Sequence, residues 1–151
     1  MSVRRDFPDL PPVWMTGHAL AAWAVARWAP VMGFASPTAR AAGGLVAALG
    51  VGLAVWAAVH FARARTKIEP RERPTALIRS GPFAINRNPI YTGMALVLLG
   101  WAVWLGALGA ALVAMAFPVV IDRRFVRGEE AALLDAFGAE ARRYMSEVRR
   151  W

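Results

Sequence analysis

Three stretches of the sequence combine charged, aromatic and turn-forming residues in patterns that could support chemistry. The first runs from Thr66-Lys67-Ile68-Glu69-Pro70 to Ser80-Gly81-Pro82-Phe83, the second is Arg87-Asn88-Pro89-Ile90-Tyr91-Thr92-Gly93, and the third leads from Glu129-Glu130 through Phe137-Gly138 to Tyr144. Each residue alone has a structural explanation, because prolines begin helices, tyrosines lie at membrane surfaces and acidic side chains complement helix N-termini. The chemistry therefore depends on whether the three stretches converge in space.

The two adjacent glutamates are expected to differ in their surroundings. On a helix, Glu130 shares a face with the apolar residues Leu133, Leu134 and Phe137, whereas Glu129 is turned about 100° away. A carboxylate on an apolar face needs a partner, either an arginine or a cationic ligand. The sequence therefore predicts that Glu130, more than Glu129, takes part in binding.

The composition excludes several kinds of site. The chain has no cysteine, so disulfides, a thiol nucleophile and Cys-ligated metals are excluded. Its two histidines, His18 and His60, are far apart and lie in apolar runs, so no metal site is predicted. The net charge is +8, but the basic residues flank apolar runs as expected of a membrane protein, so nucleic acid is not a predicted partner.

The elements that must position these stretches follow from two long runs without charge, residues 41–62 and 88–121. A helix needs about 20 apolar residues to span a bilayer, so both runs qualify as membrane segments. The longer run is expected to fold as a hairpin, because Gly106 and Gly109 lie near its middle. The predicted helices are 13–34 with a kink at Pro30, 41–62, Pro89–Leu105, Leu108–Ile121 and a final amphipathic helix interrupted at Gly138.

The predicted fold is thus an all-α, polytopic membrane bundle with four crossings and a single domain spanning residues 1–151. Residues 63–88 are expected to be an ordered loop, and this loop and the segment after the hairpin hold seven basic residues each. The positive-inside rule therefore places both in the cytosol, together with the amphipathic helix. No removable signal peptide is predicted. The expected location is a bacterial inner membrane, with the active face cytosolic.

The three stretches together resemble the isoprenylcysteine carboxyl methyltransferase and phospholipid methyltransferase families, which are integral membrane enzymes that use S-adenosylmethionine. The resemblance covers about residues 66–151. The family's Arg-His-Pro-x-Tyr motif corresponds to Arg87, Asn88, Pro89 and Tyr91, and its Glu-Glu pair to the two glutamates at 129–130. Asn88 stands where isoprenylcysteine enzymes have His, and an Asn can donate and accept hydrogen bonds but cannot titrate. The resemblance therefore implies the cofactor more directly than the isoprenylcysteine substrate.

Residues 1–62 are expected to be membrane helices from their apolar pattern, and the resemblance implies that residues 63–151 form a cofactor-binding core, which is closed by its C-terminal segment. The implied catalytic residues are Arg87, Asn88, Tyr91 and Glu130. The implied cofactor-binding residues are Asn88, Pro89, Tyr91, Gly93, Glu129, Glu130 and Tyr144. S-adenosylmethionine carries positive groups that suit the glutamates, a carboxylate that suits Arg87, and a base or sulfonium that either tyrosine could cover.

The leading interpretation is a methyltransferase that acts on a lipophilic or prenylated acceptor entering from the bilayer, with membrane lipids as its surroundings. The first alternative is a membrane NADPH-dependent reductase of the sterol or steroid type. The second is a non-enzymatic membrane adaptor. Binding of S-adenosylmethionine or of NADPH would discriminate among the three.

Overall fold

The computed structural model describes residues 7–66 and 74–151, and this part of the chain is helical and contains no strand. The all-α prediction is therefore confirmed. The stretch 67–73, which belongs to the predicted loop and to the first of the three chemical stretches, lies outside the described residues. The helices are α1 (Pro11–Trp28), α2 (Pro37–Arg63), a short 3-10 helix (Gly81–Ala84), α3 (Pro89–Leu105), α4 (Leu108–Ile121) and α5 (Arg127–Glu147), with a π-helical turn (Asp122–Val126) between the last two.

The predicted bounds of the hairpin and the break at Gly138 are confirmed. Helix α3 ends at Gly106, which has φ 67° and so occupies the left-handed region that glycine adopts without strain. Gly138 has φ 52° and ψ −117°, which interrupts α5 midway. The predicted end of the first helix was wrong, because α1 ends at Trp28. Helical geometry is disfavoured for the residue that precedes a proline, and Pro30 therefore prevents the helix from continuing.

Helices α2 and α3 pack closely through glycines. A Cβ atom added to Gly50 would lie 2.5 Å from the carbonyl oxygen of Gly93, and one added to Gly43 would lie 2.5 Å from that of Gly100. Small residues at such positions let two backbones come into contact, which is a common means of helix association in membranes. The close contact is therefore made at Gly43 and Gly50, whereas Gly52 faces open space.

The connections between the helices meet at two opposite ends of the bundle. At one end, the amide of Phe34 donates to the carbonyl of Gly106 at 2.7 Å, and the amide of Leu108 donates to the carbonyl of Val31 at 3.2 Å. At the other end, Asp9 before α1 accepts a hydrogen bond from Arg124 after α4 at 2.9 Å. The two uncharged turns therefore lie together, and the charged segments before α1 and after α4 meet at the opposite end.

Helix α2 is long and apolar enough to cross a membrane, with 27 residues. Only 11% of its most apolar window is buried within the chain, so most of its side chains face outward. Helix α3 is apolar but shorter. Large apolar side chains are also exposed on α4, among them Leu112 and Met115. Such a surface suits contact with lipid.

The π-helical turn connects the bundle to α5. A π turn contains an extra residue and so changes the direction of the side chains that follow it. Here it buries Phe125 and Val126 against the core, where they join Leu98, Phe117 and Ile121 as fully or almost fully buried side chains. Helix α5 consequently begins beside the first turn of α3, with its acidic residues directed towards that turn.

Candidate functional site

The segment before α3 is fixed by its own asparagines. The side-chain oxygen of Asn86 accepts a hydrogen bond from the amide of Asn88 at 3.0 Å. The carbonyl of Asn88 accepts one from the amide of Thr92 at 2.9 Å, within the first turn of the helix. Asn88 is buried, and its Nδ2 donates to the carbonyl of Arg150 at 2.9 Å. The structure therefore uses Asn88 as a hydrogen-bonding link between two distant parts of the chain.

Residues 149–150 lie along this segment. The amide of Arg87 donates to the carbonyl of Arg149 at 2.8 Å, and Asn86 and Arg149 form an isolated parallel bridge. Together with the bond from Asn88, these contacts hold the backbone after α5 against the residues that precede α3. This part of the site is therefore formed by the segment before α3 together with the residues after α5.

Glu130 is paired with two arginines. Arg150 binds it through two parallel hydrogen bonds, Nε to Oε1 at 3.0 Å and Nη2 to Oε2 at 2.6 Å. Nη2 of Arg87 lies 3.2 Å from Oε1 of the same carboxylate. The Glu130 side chain is only 14% exposed, so these charge-assisted bonds compensate a largely desolvated charge. The predicted need of Glu130 for a partner is met here by arginines.

Arg150 also reaches a second carboxylate, since its Nη1 donates to Oδ1 of Asp122 at 3.0 Å. Asp122 in turn accepts a bond from Nε of Arg127 at 2.9 Å. The hydrogen bond to Glu130 is the main cause that raises the pKa of the Arg150 guanidinium above its usual value. Arg150 is therefore a fixed positive charge between the π turn and α5.

Glu129 has different surroundings. It is half-buried, and its Oε1 accepts a hydrogen bond of 2.6 Å from the hydroxyl of Tyr91 on α3. Within residues 7–66 and 74–151, no cation pairs with it. Burial raises the pKa of the Glu129 carboxyl, the hydrogen bond from Tyr91 opposes this, and the charge of Glu130 raises the pKa further. Glu129 is thus a carboxylate whose charge is uncompensated in the described part of the chain.

These contacts distinguish the two glutamates by their partners, which the helical projection could not do. The helical projection placed Glu129 towards the edge of α5. In the structure the helix is approached by α3 on the side that carries Glu129, because the π turn sets where α5 begins. Glu130 is already bound by arginines, whereas Glu129 has no cation partner among the described residues.

Arg87 contributes a buried donor. Its side chain is 12% exposed, and its Nε is buried without a hydrogen-bond partner in the described residues. A buried donor left unpaired costs about 1–3 kcal/mol, so native proteins rarely retain one without a reason. Because Nη2 of the same side chain contacts Glu130, this donor and the Glu129 carboxylate, which has no cation among the described residues, occupy the same end of the bundle.

The remaining predicted residues have structural surroundings. The hydroxyl of Tyr144 donates to the carbonyl of Phe83 at 2.8 Å, and burial raises its pKa to about 12 although Arg87 and Arg79 oppose this. Tyr144 therefore anchors the 3-10 helix. Pro89 is buried as the first residue of α3, and Gly93 packs against α2, so each has a visible role in the fold.

An open cleft of about 570 Å³ lies apart from the glutamates, between the end of α2, residues 76–80 and Glu140. His60, Arg63, Arg79 and Ser80 contribute polar groups to its lining. Neither histidine belongs to a metal-binding cluster: across the two described ranges, no group of three or more His, Asp or Glu residues is arranged to hold a metal ion.

Two residues of the charged network were missed by sequence reasoning, Arg150 and Asp122. Arg150 is 20 residues from Glu130 and 28 from Asp122 along the chain. No helical spacing links positions so far apart. The signal that was present, an Arg-Arg pair after an amphipathic helix, is also typical of a membrane boundary.

Comparison with known proteins identifies the family. The model of the phospholipid methyltransferase family matches residues 38–140, about two thirds of the chain. The chain belongs to this family. The predicted resemblance is confirmed, and the match begins earlier than predicted, since it includes α2. Family membership and the apolar α2 together indicate a membrane methyltransferase. Tyr144 and Arg150 lie beyond the matched residues.

One relative is an uncharacterized protein of Haemophilus influenzae, which is 42% identical over 62 residues. The matched region is 41% of this chain and 98% of that protein. No solved structure matches the chain. The family match therefore carries the assignment.

The raised pKa of Glu129 generates a prediction about stability. Because the folded-state pKa lies above the unfolded value, the carboxyl favours the folded state at pH below its unfolded pKa, and this contribution is lost as pH rises through the folded pKa. At pH 7 the charged carboxylate therefore destabilises the protein. Glu129→Gln keeps an acceptor for Tyr91 and should raise the melting temperature at pH 7, with a smaller difference below pH 4.5.

The matched control is Glu147→Gln on the same helix, where the exposed carboxylate pairs with Arg143 and little change is expected. Thermal unfolding of both variants in detergent, as a function of pH, makes the comparison. A melting temperature of Glu129→Gln below that of wild type at pH 7 would show that the carboxylate stabilises the fold.

Proposed function

We propose that the protein is an integral membrane methyltransferase that uses S-adenosylmethionine, bound where Arg87, Tyr91 and Glu129 meet. The observation that carries this proposal is that two groups of opposite charge lie at one end of the bundle. One is a carboxylate with no described cation, and the other is a buried arginine with an unused donor. A ligand that carries both a positive group and a carboxylate would satisfy both. Methionine-derived sulfonium compounds have that pattern of charge.

The residues present fit the cofactor in chemical terms. Glu129 would attract its positive groups, Arg87 would bind its carboxylate, and the ring of Tyr91 would add a favourable face for a cation. The bound cofactor supplies an electrophilic methyl group to the acceptor. The chain's contribution is to hold donor and acceptor in line and to exclude water, and such alignment can supply much of the rate enhancement.

The proposed acceptor is a lipid or another lipophilic molecule that enters from the bilayer. The family name refers to phospholipids, and the exposed apolar faces of α2 and α4 would be in contact with lipid. The described segments outside the helical bundle are short, too small to enclose a large soluble substrate. A lipophilic acceptor can instead approach the site along the membrane surface.

A nicotinamide cofactor suits this site less well. NADPH carries several phosphate groups, and an uncompensated Glu129 beside Glu130 would repel them. A membrane adaptor would not need a buried carboxylate that lacks a cation, since such a group costs stability. Both alternatives are therefore less well supported than methyl transfer.

We further propose that the protein crosses the membrane four times, with the charged end of the bundle in the cytosol. The two uncharged turns lie together at one end, which supports an up-and-down arrangement of α1 to α4. Arg27 and Arg40 lie near the uncharged turns, but most of the described basic residues are at the opposite end, as the positive-inside rule expects of the cytosolic side. The site would then face the cytosol, where S-adenosylmethionine is made.

The cofactor proposal is tested by binding to detergent-purified protein. S-adenosylmethionine and S-adenosylhomocysteine should bind, and NADPH should not. Glu129→Gln should weaken S-adenosylmethionine binding ten- to hundredfold, which corresponds to about 1.5–3 kcal/mol for a charge-assisted contact. It should weaken S-adenosylhomocysteine less, because that ligand lacks the sulfonium charge.

Glu147→Gln is again the control and should bind as wild type does. Tight NADPH binding with no binding of S-adenosylmethionine would support the reductase instead. Wild-type affinity in a folded Glu129→Gln variant would remove Glu129 from the site.

Topology is tested by cysteine labelling, which is simple because the chain has no cysteine. Val31 is exposed near the uncharged turns, and Arg142 is exposed on α5. Val31→Cys and Arg142→Cys, made separately, should react with a membrane-impermeant maleimide from opposite sides of the membrane. Labelling of both from one side would contradict four crossings with this orientation.

A further inference from the structure

Arg150 contacts three residues of the site, Glu130, Asp122 and Asn88, through its side chain and its backbone carbonyl. Two of its guanidinium nitrogens bind Glu130, a third binds Asp122, and its carbonyl accepts from Asn88. The planar guanidinium binds one carboxylate through two parallel bonds and keeps a further N–H for the second, a fork geometry that a lysine ammonium does not offer. This residue lies outside the region that matches the family, so the match does not account for it.

We propose that Arg150 is a positioning residue of the cofactor site, which binds Glu130 and Asp122 and thereby leaves Glu129 as the carboxylate that meets the ligand's cation. This inference rests on the proposed function for the identity of the ligand. The distinction between the acidic residues that are bound by arginine and the one that is not depends only on the observed contacts. Glu130 and Asp122 are each held by a guanidinium at 3.0 Å or less, whereas Glu129 is held by a phenol.

Arg150 also determines what Arg87 can do. Both arginines share Oε1 of Glu130, with Arg150 Nε at 3.0 Å and Arg87 Nη2 at 3.2 Å. While Arg150 supplies the two-bond contact, Arg87 reaches Glu130 through Nη2, and its Nε, which has no hydrogen-bond partner among the described residues, can meet a ligand. Without Arg150, Glu130 would have only Arg87 as a cation, and that arginine would be drawn fully to it.

The charged and titratable groups around Glu129 define the expected electrostatic effect. Tyr91 faces it from α3, and Glu130, which is paired with Arg87 and Arg150, is next to it on α5. Asp122 in the π turn is held by Arg150. Loss of the Arg150 charge leaves Glu130 less compensated. The repulsion that Glu129 experiences then grows, and its carboxylate form becomes less favourable.

The experiment compares Arg150→Gln and Arg150→Lys with Arg149→Gln. Arg149 is exposed and adjacent, so its replacement changes the net charge equally without removing a described ion pair. The first measurement is the pKa of Glu129 in ligand-free protein, from carboxyl-13C NMR in detergent with Glu129→Gln to assign the signal. The second is the affinity for S-adenosylmethionine.

We expect Arg150→Gln to raise the pKa of Glu129 and to weaken S-adenosylmethionine binding about tenfold or more. Arg150→Lys should give a smaller change in the same direction, and Arg149→Gln should behave as wild type. A purely structural role for Arg150 would lower the melting temperature without moving the pKa of Glu129.

An unchanged pKa of Glu129 in folded Arg150→Gln overturns the inference. If the Gln variant does not fold, the pKa of Glu129 and the affinity for S-adenosylmethionine are measured in Arg150→Lys instead, and unchanged values there overturn the inference. The same change in Arg149→Gln would also overturn it, because the effect would then be one of net charge. If wild type binds no S-adenosylmethionine but the pKa shift occurs, the positioning role stands and the proposed function fails.

Discussion

Two adjacent carboxylates, Glu129 and Glu130, lie partly buried at the charged end of the bundle, and the charge of each must be compensated. Desolvating a carboxylate is costly unless a partner is fixed beside it. Glu130 is bound by Arg150 and Arg87, with the closest contact at 2.6 Å. Glu129 receives one hydrogen bond from Tyr91, and burial raises its pKa. Within the described part of the chain, the fold compensates one of these charges with arginines and leaves the other without a cation.

The helical hairpin makes this arrangement possible. Helix α3 begins at Pro89 and brings Tyr91 to the charged end, while its glycines hold it against α2. Helix α4 returns to the same end, and the π turn buries Phe125 before α5 starts. A straight continuation of α4 would carry the glutamates away from α3. The extra residue of the π turn therefore connects the packing of the bundle to the geometry of the site.

Much of the fold could be predicted from the sequence because it depends on local signals. A charge-free run too long for one crossing must turn back, and Gly106 marks where, so the bounds of α3 and α4 were predicted correctly. Gly138 interrupts α5 for the same local reason. The family could be recognised because Arg87, Pro89, Tyr91 and the glutamates occur in a characteristic order.

The electrostatic contacts of the site could not be predicted in this way. The partners of Arg150 lie 20 and 28 residues away, and only the folded chain brings them together. The relative roles of Glu129 and Glu130 depend on which side of α5 meets α3. That side is set by a π turn, which leaves no clear mark in the sequence. Helix projection alone could therefore not assign the partners of the two glutamates.

The most direct test of this account is an experimental structure of the protein with S-adenosylhomocysteine bound. We expect the ligand's amino-acid portion to lie between Glu129 and the guanidinium of Arg87, with Arg150 still bound to Glu130. A ligand seated in the separate cleft lined by His60, Arg63 and Arg79, with no contact to Glu129, would contradict it.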